Sequence, residues 1–449
     1  MELLLSVSRE RPGTLRSQVE NDLRTAVRDG SLRAGVALPS TRDLAAQLGI
    51  SRKVIVDAYA QLAAEGYLTM RQGARPRVAS GEIVRTAENG PPREDAYRFD
   101  FRPSRPDVSA FPREAWSRCL REAVGEINTE ELGYGDPLGV PALRATLAGH
   151  LGRTRGVVAA PALTVVTSGY LHGLGLISHA LRSRGARKIA MEHPSSADMA
   201  VIVARAGLTP VHVPVDDLGL RVGDLPADVD AVVLTPAHQH PTGVVLAPSR
   251  RAALVTWLRA HRALAIEDDY DAEYRYDRPA VGALQGLDPE HVVYCGTTSK
   301  VLAPALRLGW LVAPPWLAAA LRTVPDLGSA RVEQLAFARF VERGDLDRHL
   351  RRMRLRYRRR RDAMVAAIGE HLGAAKIHGI AAGLHVTVTL PRTVDEAALR
   401  RAAHRRGIAL ATMADYALTT GPPTLVLGYS QMTENRIAAG VAELAQCCP

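Results

Sequence analysis

From about Phe99 onward the chain alternates short apolar runs with amphipathic stretches, and this alternation constrains the fold more than any other feature. The runs fall at 163–166, 188–191, 211–213, 231–234, 263–266, 292–294 and 308–312. Runs this short, separated by helical segments, argue for a mostly parallel sheet buried on both faces. Ligands of such sheets gather outside the carboxyl ends of the strands. Further on, apolar runs at 384–390 and 424–429 between helical segments read as a smaller α+β lobe. The expected class for this part is α/β.

The preceding residues follow another pattern. Leu15, Val19, Leu23, Ala26 and Val27 recur at helical spacing, and Gly30 and Gly35 bracket a turn. Ser40-Thr41-Arg42-Asp43 has capping-box form, with Ser40 accepting from the N3 amide and Asp43 reaching back, and opens a helix through Leu48. After the Gly49-Ile50 turn, Ser51 can cap a third helix from Arg52 to Glu65, with Ile55, Ala58, Tyr59 and Leu62 on one buried face. Gly66 ends it. Tyr67–Met70, a turn at Gln72-Gly73 and Arg77-Val78 suggest a two-stranded wing. This order is a winged helix-turn-helix whose third helix offers its N-terminal residues to the major groove of double-stranded DNA. The expected DNA contacts are Ser40, Thr41, Arg42, Ser51, Arg52, Lys53, Tyr59, Arg71 and Arg75. Of these, Arg75 could enter a minor groove or meet a phosphate. The local charge is modest, with twelve Lys/Arg against eight Asp/Glu in residues 1–80. A plain three-helix interaction module with a basic face is the alternative. The division expected is 1–79 for this domain, 80–98 for a Gly/Pro-bearing linker without apolar periodicity, and 99–449 for the rest.

Several classes are excluded by composition. No run approaches the ~18 apolar residues of a membrane span, and the Met1–Arg11 start lacks the features of a secretory signal. A cytoplasmic protein without a membrane partner is expected. Cys119, Cys295, Cys447 and Cys448 show no metal spacing and are too few for a disulfide scaffold.

The strand ends carry the chemistry. After the run at 163–166 come Thr167-Ser168-Gly169-Tyr170 and a helical stretch, so the Gly169 and Tyr170 amides and the Ser168 hydroxyl can face a phosphate. The run at 263–266 ends in Glu267-Asp268-Asp269-Tyr270-Asp271, a carboxylate cluster that needs a metal or a protonated base as partner. Nearby His/Cys ligands are lacking, which disfavours a metal. The net charge of +10 is carried mostly by arginine: Lys53, Lys188, Lys300 and Lys376 are the only lysines. Of these, Lys300 alone follows a strand among small hydroxyl residues, in Cys295-Gly296-Thr297-Thr298-Ser299-Lys300, with Arg307 seven residues on. An amine to form an imine, a carboxylate to keep a pyridine nitrogen protonated and a cup for phosphate are together what pyridoxal 5'-phosphate requires.

These segments, with Thr235–Gly243 and the N-terminal unit, resemble the MocR-type branch of the GntR regulators, in which a winged helix-turn-helix is fused to a fold-type-I aminotransferase-like domain. Phe101-Arg102-Pro103, Tyr134–Gly139 and Arg351-Arg352-Met353 also look like family landmarks. The resemblance implies Lys300 as the Schiff-base lysine, Asp268 as the pyridinium partner and Tyr270 as donor to the ring hydroxyl. It implies Ser168, Gly169, Tyr170, Thr297, Ser299 and Arg307 around the phosphate, and Tyr134 reaching the phosphate of a neighbouring subunit. It further implies a head-to-tail homodimer, operator DNA as partner, and a small-molecule effector, either pyridoxal phosphate itself or an amine or amino acid.

Four positions depart from the pattern. His240 stands where related aminotransferases have Asn and could still bond the ring hydroxyl. Ser196 stands where an aromatic usually stacks on the ring. Val426 stands where an arginine usually grips a substrate carboxylate, a bidentate contact that other side chains replace poorly. In the wing, Ala74 stands where a second glycine is common. The expected function is therefore a cofactor-responsive regulator, with the loss at Val426 tilting the effector toward pyridoxal phosphate. An aminotransferase with a DNA-binding appendage and a cofactor-free dimerising regulator are the alternatives. The arginine-dense stretch Arg348–Arg361 reads mostly as a solvated helix face, or else as a second DNA-contacting surface.

Overall fold

Thr14 opens the first helix of the N-terminal unit, α1 (Leu15–Arg28), its hydroxyl accepting the Ser17 amide. Ser40 does the same for α2 (Thr41–Leu48), accepting from the Asp43 amide at 3.2 Å, and Gly49 ends that helix at φ +64°. The third helix, α3 (Arg52–Ala64), begins after Ser51, whose side chain makes no capping bond, contrary to the expectation for it. Strands β1 (Leu68–Thr69) and β2 (Arg77–Val78) pair antiparallel as the wing. Val19, Leu23, Leu38, Leu44, Ile55 and Leu62 are fully buried between the helices. Each such side chain contributes roughly 1.5–3 kcal/mol of transfer free energy. The computed structural model describes residues 5, 7, 8, 10–71, 74–79, 97–276, 281–324, 328, 330–418 and 421–448, so the expected Gln72-Gly73 turn and nearly all of the expected linker lie outside the described residues.

Tyr59 corrects one expectation. It belongs to the buried face of α3 and is fully buried, with its hydroxyl donating to the Pro39 carbonyl at 3.1 Å. Burial holds its phenol protonated. It anchors α3 to the segment before α2 and does not face DNA.

The chain divides into two units, Met1–Asp95 and Ala96–Pro449. The second starts with β3 (Phe99–Asp100) and continues through β4 (Thr164–Thr167), β5 (Lys188–His193), β6 (Thr209–Asp216), β7 (Gly219–Leu220), β8 (Ala231–Leu234), β9 (Leu264–Asp268), β10 (Val292–Thr297) and β11 (Gly309–Val312). An eight-stranded sheet is ordered β4-β11-β10-β9-β8-β5-β6-β7. Its central strands run parallel, while β11 is antiparallel to both neighbours and β7 to β6. The helices of this part are α4 (Arg113–Glu126), α5 (Pro141–Arg155), α6 (Tyr170–Ser183), α7 (Ala197–Arg205), α8 (Pro248–His261), α9 (Thr298–Val301), α10 (Pro315–Arg322) and α11 (Arg331–Glu342). Apolar clusters on both faces of the sheet explain why its strands read as unbroken apolar runs.

The 27-residue helix α12 (Asp345–His371) leads to the C-terminal lobe. There β12 (Lys376–His378), β13 (His385–Thr389), β15 (Ala411–Thr412) and β16 (Thr424–Gly428) form an antiparallel sheet in the order β12-β13-β16-β15. β14 (Ile408–Ala409) pairs in parallel with β3, which ties the start of this unit to its end. Helices α13 (Glu396–Arg405) and α14 (Glu434–Ala445) cover the lobe. Among the described residues no helix is long and apolar enough to cross a membrane.

Tyr59→Phe is expected to lower the stability of the N-terminal unit by about 1 kcal/mol, through loss of one buried hydrogen bond, while leaving DNA affinity unchanged. Thermal unfolding read beside DNA titration checks this; weaker DNA binding at unchanged stability would contradict the assignment of Tyr59 to the core.

Candidate functional site

Register places the candidate cofactor residues on one edge of the large sheet. Thr167, Gly309 and Thr297 lie in one cross-strand row over β4, β11 and β10, and Asp268 lies opposite Cys295 on β10. The turn after β4, the carboxylates at the end of β9 and the lysine after β10 therefore lie on the same edge. Gly169 makes the first turn at φ +103°, and a Cβ at Gly309 would come within 2.8 Å of the Gly169 Cα. Only glycines let β11 pass that close to the turn.

The five-residue run Glu267–Asp271 at the end of β9 sorts itself by partner. Glu267 accepts the Leu284 and Gln285 amides at 2.8 and 2.9 Å. Burial, aided by the charge of Asp269, raises it to about 7. Asp269 is gripped by Arg155 through two bonds, at 2.7 and 3.1 Å, and accepts the Tyr294 hydroxyl at 2.7 Å. Asp271 meets His238 Nδ1 at 2.9 Å, and the Tyr270 hydroxyl lies 3.1 Å from the same nitrogen. Asp268 is left with Oδ1 buried and without a hydrogen-bond partner. Burial drives its carboxyl well above the usual range; Asp269 adds to this and Lys300 opposes it. Among the described residues no His/Cys/Asp/Glu group is arranged to hold a metal. An unsatisfied buried carboxylate oxygen calls for a donor, and a protonated ring nitrogen is one.

Lys300 lies on the short helix α9 with Nζ donating to the Ser104 carbonyl at 2.8 Å. Burial depresses its pKa, against the pull of Asp268 and Asp271. Ser104 adopts φ +61°, a left-handed conformation uncommon for a non-glycine residue. It follows Phe101-Arg102-Pro103 directly, yet nothing in its type signalled the contact. Thr297 and Ser299 bond through their hydroxyls at 3.0 Å, and the Thr297 hydroxyl accepts the Ser299 amide at 3.1 Å. The Arg307 guanidinium lies about 4 Å from where a Gly169 Cβ would stand. Ser168 gives its amide to His172 Nδ1 at 2.9 Å, while Gly169 is the N-cap of α6 and Tyr170 its first residue, the end at which a helix leaves backbone amides without intrahelical partners. The Tyr170 hydroxyl donates to Met199 Sδ at 3.5 Å.

On the other side stand three histidines. His238 and His240 each lie 5.2 Å, centroid to centroid, from His385, and Tyr416 lies 5.0 Å from His240. Burial, with Lys300 and His238 adding, drops His240 to about 3, so it is neutral, and its Nδ1 is buried without a partner. His385 lies within an expected strand but carried no spacing signal. Val426 is fully buried on β16 opposite Thr387, and the Thr387 hydroxyl donates to the Pro241 carbonyl at 2.5 Å. Ser196 stands at the start of α7. Tyr134 is 88% exposed. A cavity of about 830 Å³, lined by His193, Thr242, His378 and Met413 among others, does not include Lys300, Asp268 or Arg307.

In the N-terminal unit Arg42, Ser51, Arg52, Lys53, Arg71 and Arg75 are exposed, and Ser40 and Thr41 are half-buried at the start of α2. Arg52 Nε donates to Thr41 Oγ1 at 3.3 Å, which links α3 to α2.

Residues 15–78 match the bacterial regulatory proteins of the gntR family, and residues 110–442 match aminotransferase class I and II. The chain belongs to the MocR-type GntR regulators, transcription factors that join a DNA-binding helix-turn-helix to an aminotransferase-like domain. It is 32% identical to the HTH-type pyridoxine biosynthesis transcriptional regulator PdxR of Corynebacterium glutamicum, over 99% of this chain and 98% of that protein. It is 31% identical to the "Probable rhizopine catabolism regulatory protein MocR" of Rhizobium meliloti, over 98% and 95%. Among solved structures, a kynurenine aminotransferase of Pyrococcus horikoshii superposes with a TM-score of 0.71 at 26% identity, covering 79% of this chain and 91% of that one. The aminotransferase class implies pyridoxal phosphate as cofactor, and the free Asp268 oxygen, the Gly169 turn and the buried Lys300 fit it.

A folded-state pKa for His240 below its unfolded value means that the unfolded chain binds the extra proton first. The stability that depends on neutral His240 is full above about pH 6.5 and is lost as pH falls toward 3. His240→Asn is expected to flatten the acid limb of the stability profile. Chemical denaturation of both proteins across this range checks it; superimposable profiles would contradict a buried neutral imidazole.

Proposed function

We propose that this regulator holds pyridoxal phosphate at Lys300 and binds operator DNA as a head-to-tail homodimer whose arrangement answers to the cofactor or its adduct with an amine. The observation that carries the reading is the lone buried Asp268 oxygen on the same strand-end edge as Lys300. When bound, the cofactor supplies an aldehyde that bonds an amine and a pyridine ring that accepts a proton. In this reading Lys300 offers the amine, its pKa already depressed by burial. Asp268 holds the ring nitrogen's proton. Tyr270, kept protonated by burial, donates to the ring hydroxyl, and His240 offers a neutral nitrogen beside it. Amides of Gly169 and Tyr170, hydroxyls of Ser168, Thr297 and Ser299, and the Arg307 guanidinium surround the phosphate. Tyr134, with its exposed ring, is the residue a head-to-tail partner would receive at its own phosphate site.

Val426 bears on the effector. A buried valine offers a carboxylate nothing, so an amino acid gripped in the manner of an aminotransferase substrate is disfavoured, and so is sustained transamination. Pyridoxal phosphate itself is the effector this favours. The relative PdxR is by its name a regulator of pyridoxine biosynthesis, which supports the same choice. Action in the cytoplasm follows from operator binding.

Purified protein supplied with pyridoxal phosphate is expected to show the visible absorption band of a lysine-bound cofactor, absent in Lys300→Ala and shifted in Asp268→Asn. A wild-type protein that stays colourless would leave the large unit as a dimerising body only. For DNA, Arg52→Ala and Lys53→Ala are each expected to lower the slope of log affinity against log salt by about 0.9 per protomer, because each substitution leaves one phosphate without its cation. An unchanged slope and affinity in both variants would remove α3 as the reading helix.

A further inference from the structure

Most arginines of the dense stretch on α12 are exposed, as expected of a solvated face, but several are held by partners in the unit. Arg356 and Arg360 both pair with Asp107, at 3.2 and 2.9 Å, and Arg354 donates to the Glu273 carbonyl at 2.7 Å. These arginines bind the helix to the body of the unit. Arg351 and Arg358 remain exposed, and neither makes a hydrogen bond or ion pair with described residues. They lie seven residues apart, about 10 Å along the axis.

Contacts lead from this helix to a second basic element. Arg359 reaches Glu434 at the start of α14, at 3.5 Å. Two residues on, Arg436 donates to the Arg98 carbonyl. The exposed Arg98 packs beside Gly407, which follows the last turn of α13. There a groove of about 420 Å³ is lined by Tyr97, Arg102, Arg400, Arg401, His404 and Arg405, among others. Arg102 is held by Asp100 and Arg400 by Asp415. Arg401 and Arg405, one helical turn apart, are exposed and make no hydrogen bond or ion pair with described residues. Along the band the carboxylates Glu434, Asp100, Asp415 and Glu443 are each already engaged by an arginine. No carboxylate lines the groove.

We propose that this arginine band, from Arg351 and Arg358 of α12 past Arg98 to Arg401 and Arg405 of α13, is a second DNA-contacting surface that takes the phosphate backbone of duplex DNA beyond the segment read by the helix-turn-helix. Arginine heads on exposed helical faces, without carboxylate partners, suit contacts to phosphate that carry no base information. An extended band suits a duplex better than a compact anion. Every phosphate neutralised releases counterions, so the surface registers in the salt dependence of binding. The proposal rests on DNA binding by the chain and is independent of the cofactor reading.

The test uses the full-length protein with two random-sequence duplexes, one of about 15 and one of about 60 base pairs, titrated between about 50 and 200 mM salt. On the long duplex, Arg401→Ala/Arg405→Ala and Arg351→Ala/Arg358→Ala are each expected to reduce the slope of log affinity against log salt by about 2. On the short duplex both are expected to match the wild type, and Arg401→Lys/Arg405→Lys should recover the long-duplex slope. Wild-type slopes in both alanine variants on the long duplex would overturn the proposal. So would variants that keep those slopes yet lose binding of ADP, since the groove would then be a small-anion site. A loss confined to Arg52 or Lys53 variants on the short duplex would instead report on the reading helix.

Discussion

Four carboxylates within five residues at the end of β9 cannot all stay buried unless each is answered separately, and the way they are answered organises the large unit. Arg155, from the end of α5, takes Asp269 in a pair almost wholly removed from water. An unpaired ion there would cost several kcal/mol, so loss of Arg155 would leave Asp269 to protonate or the strand end to open. His238 takes Asp271 and two backbone amides take Glu267. Asp268 is the remainder. Its unmet oxygen gives the strand end a requirement that only a further donor satisfies, and Lys300 is near enough for its charge to act on Asp268.

The same division of labour recurs in the arginines. Arg155, Arg251 and Arg360 are interior residues that bond carboxylates and carbonyls. Arg351, Arg358, Arg401 and Arg405 are exposed. Net charge alone does not separate the two sets. Partnering does, and it divides the arginines that hold the fold together from those free to meet an external anion.

Much of this was legible in the chain. Short apolar runs located the strands because parallel strands buried on both faces admit few polar residues. Ser40, Gly49 and the Arg52-Lys53 start delimited the helix-turn-helix because capping is local chemistry. Lysine scarcity pointed to Lys300 for the same kind of reason, since few amines compete with it. What stayed hidden depends on distant partners. The Tyr59 side chain looks equally suited to DNA or core until Pro39 is seen beside its hydroxyl. Arg155 lies 114 residues from Asp269, and nothing in its helix marks it as the cation for β9. Ser104 and His385 reach the site only through the tertiary fold, and Arg356 and Arg360 left the solvated face because Asp107 is folded against α12.

The proposed regulator couples its two ligands, and such coupling is reciprocal: whatever factor the cofactor applies to operator affinity, the operator applies to cofactor affinity. The most direct measurement is the pyridoxal phosphate dissociation constant, read from its absorption with the protein free and with the protein saturated by operator duplex. The account predicts two different constants, with the ratio matched by the change in operator affinity on adding cofactor and abolished in Lys300→Ala. Identical constants in the free and DNA-bound protein would contradict a cofactor-sensing regulator while leaving each binding site standing.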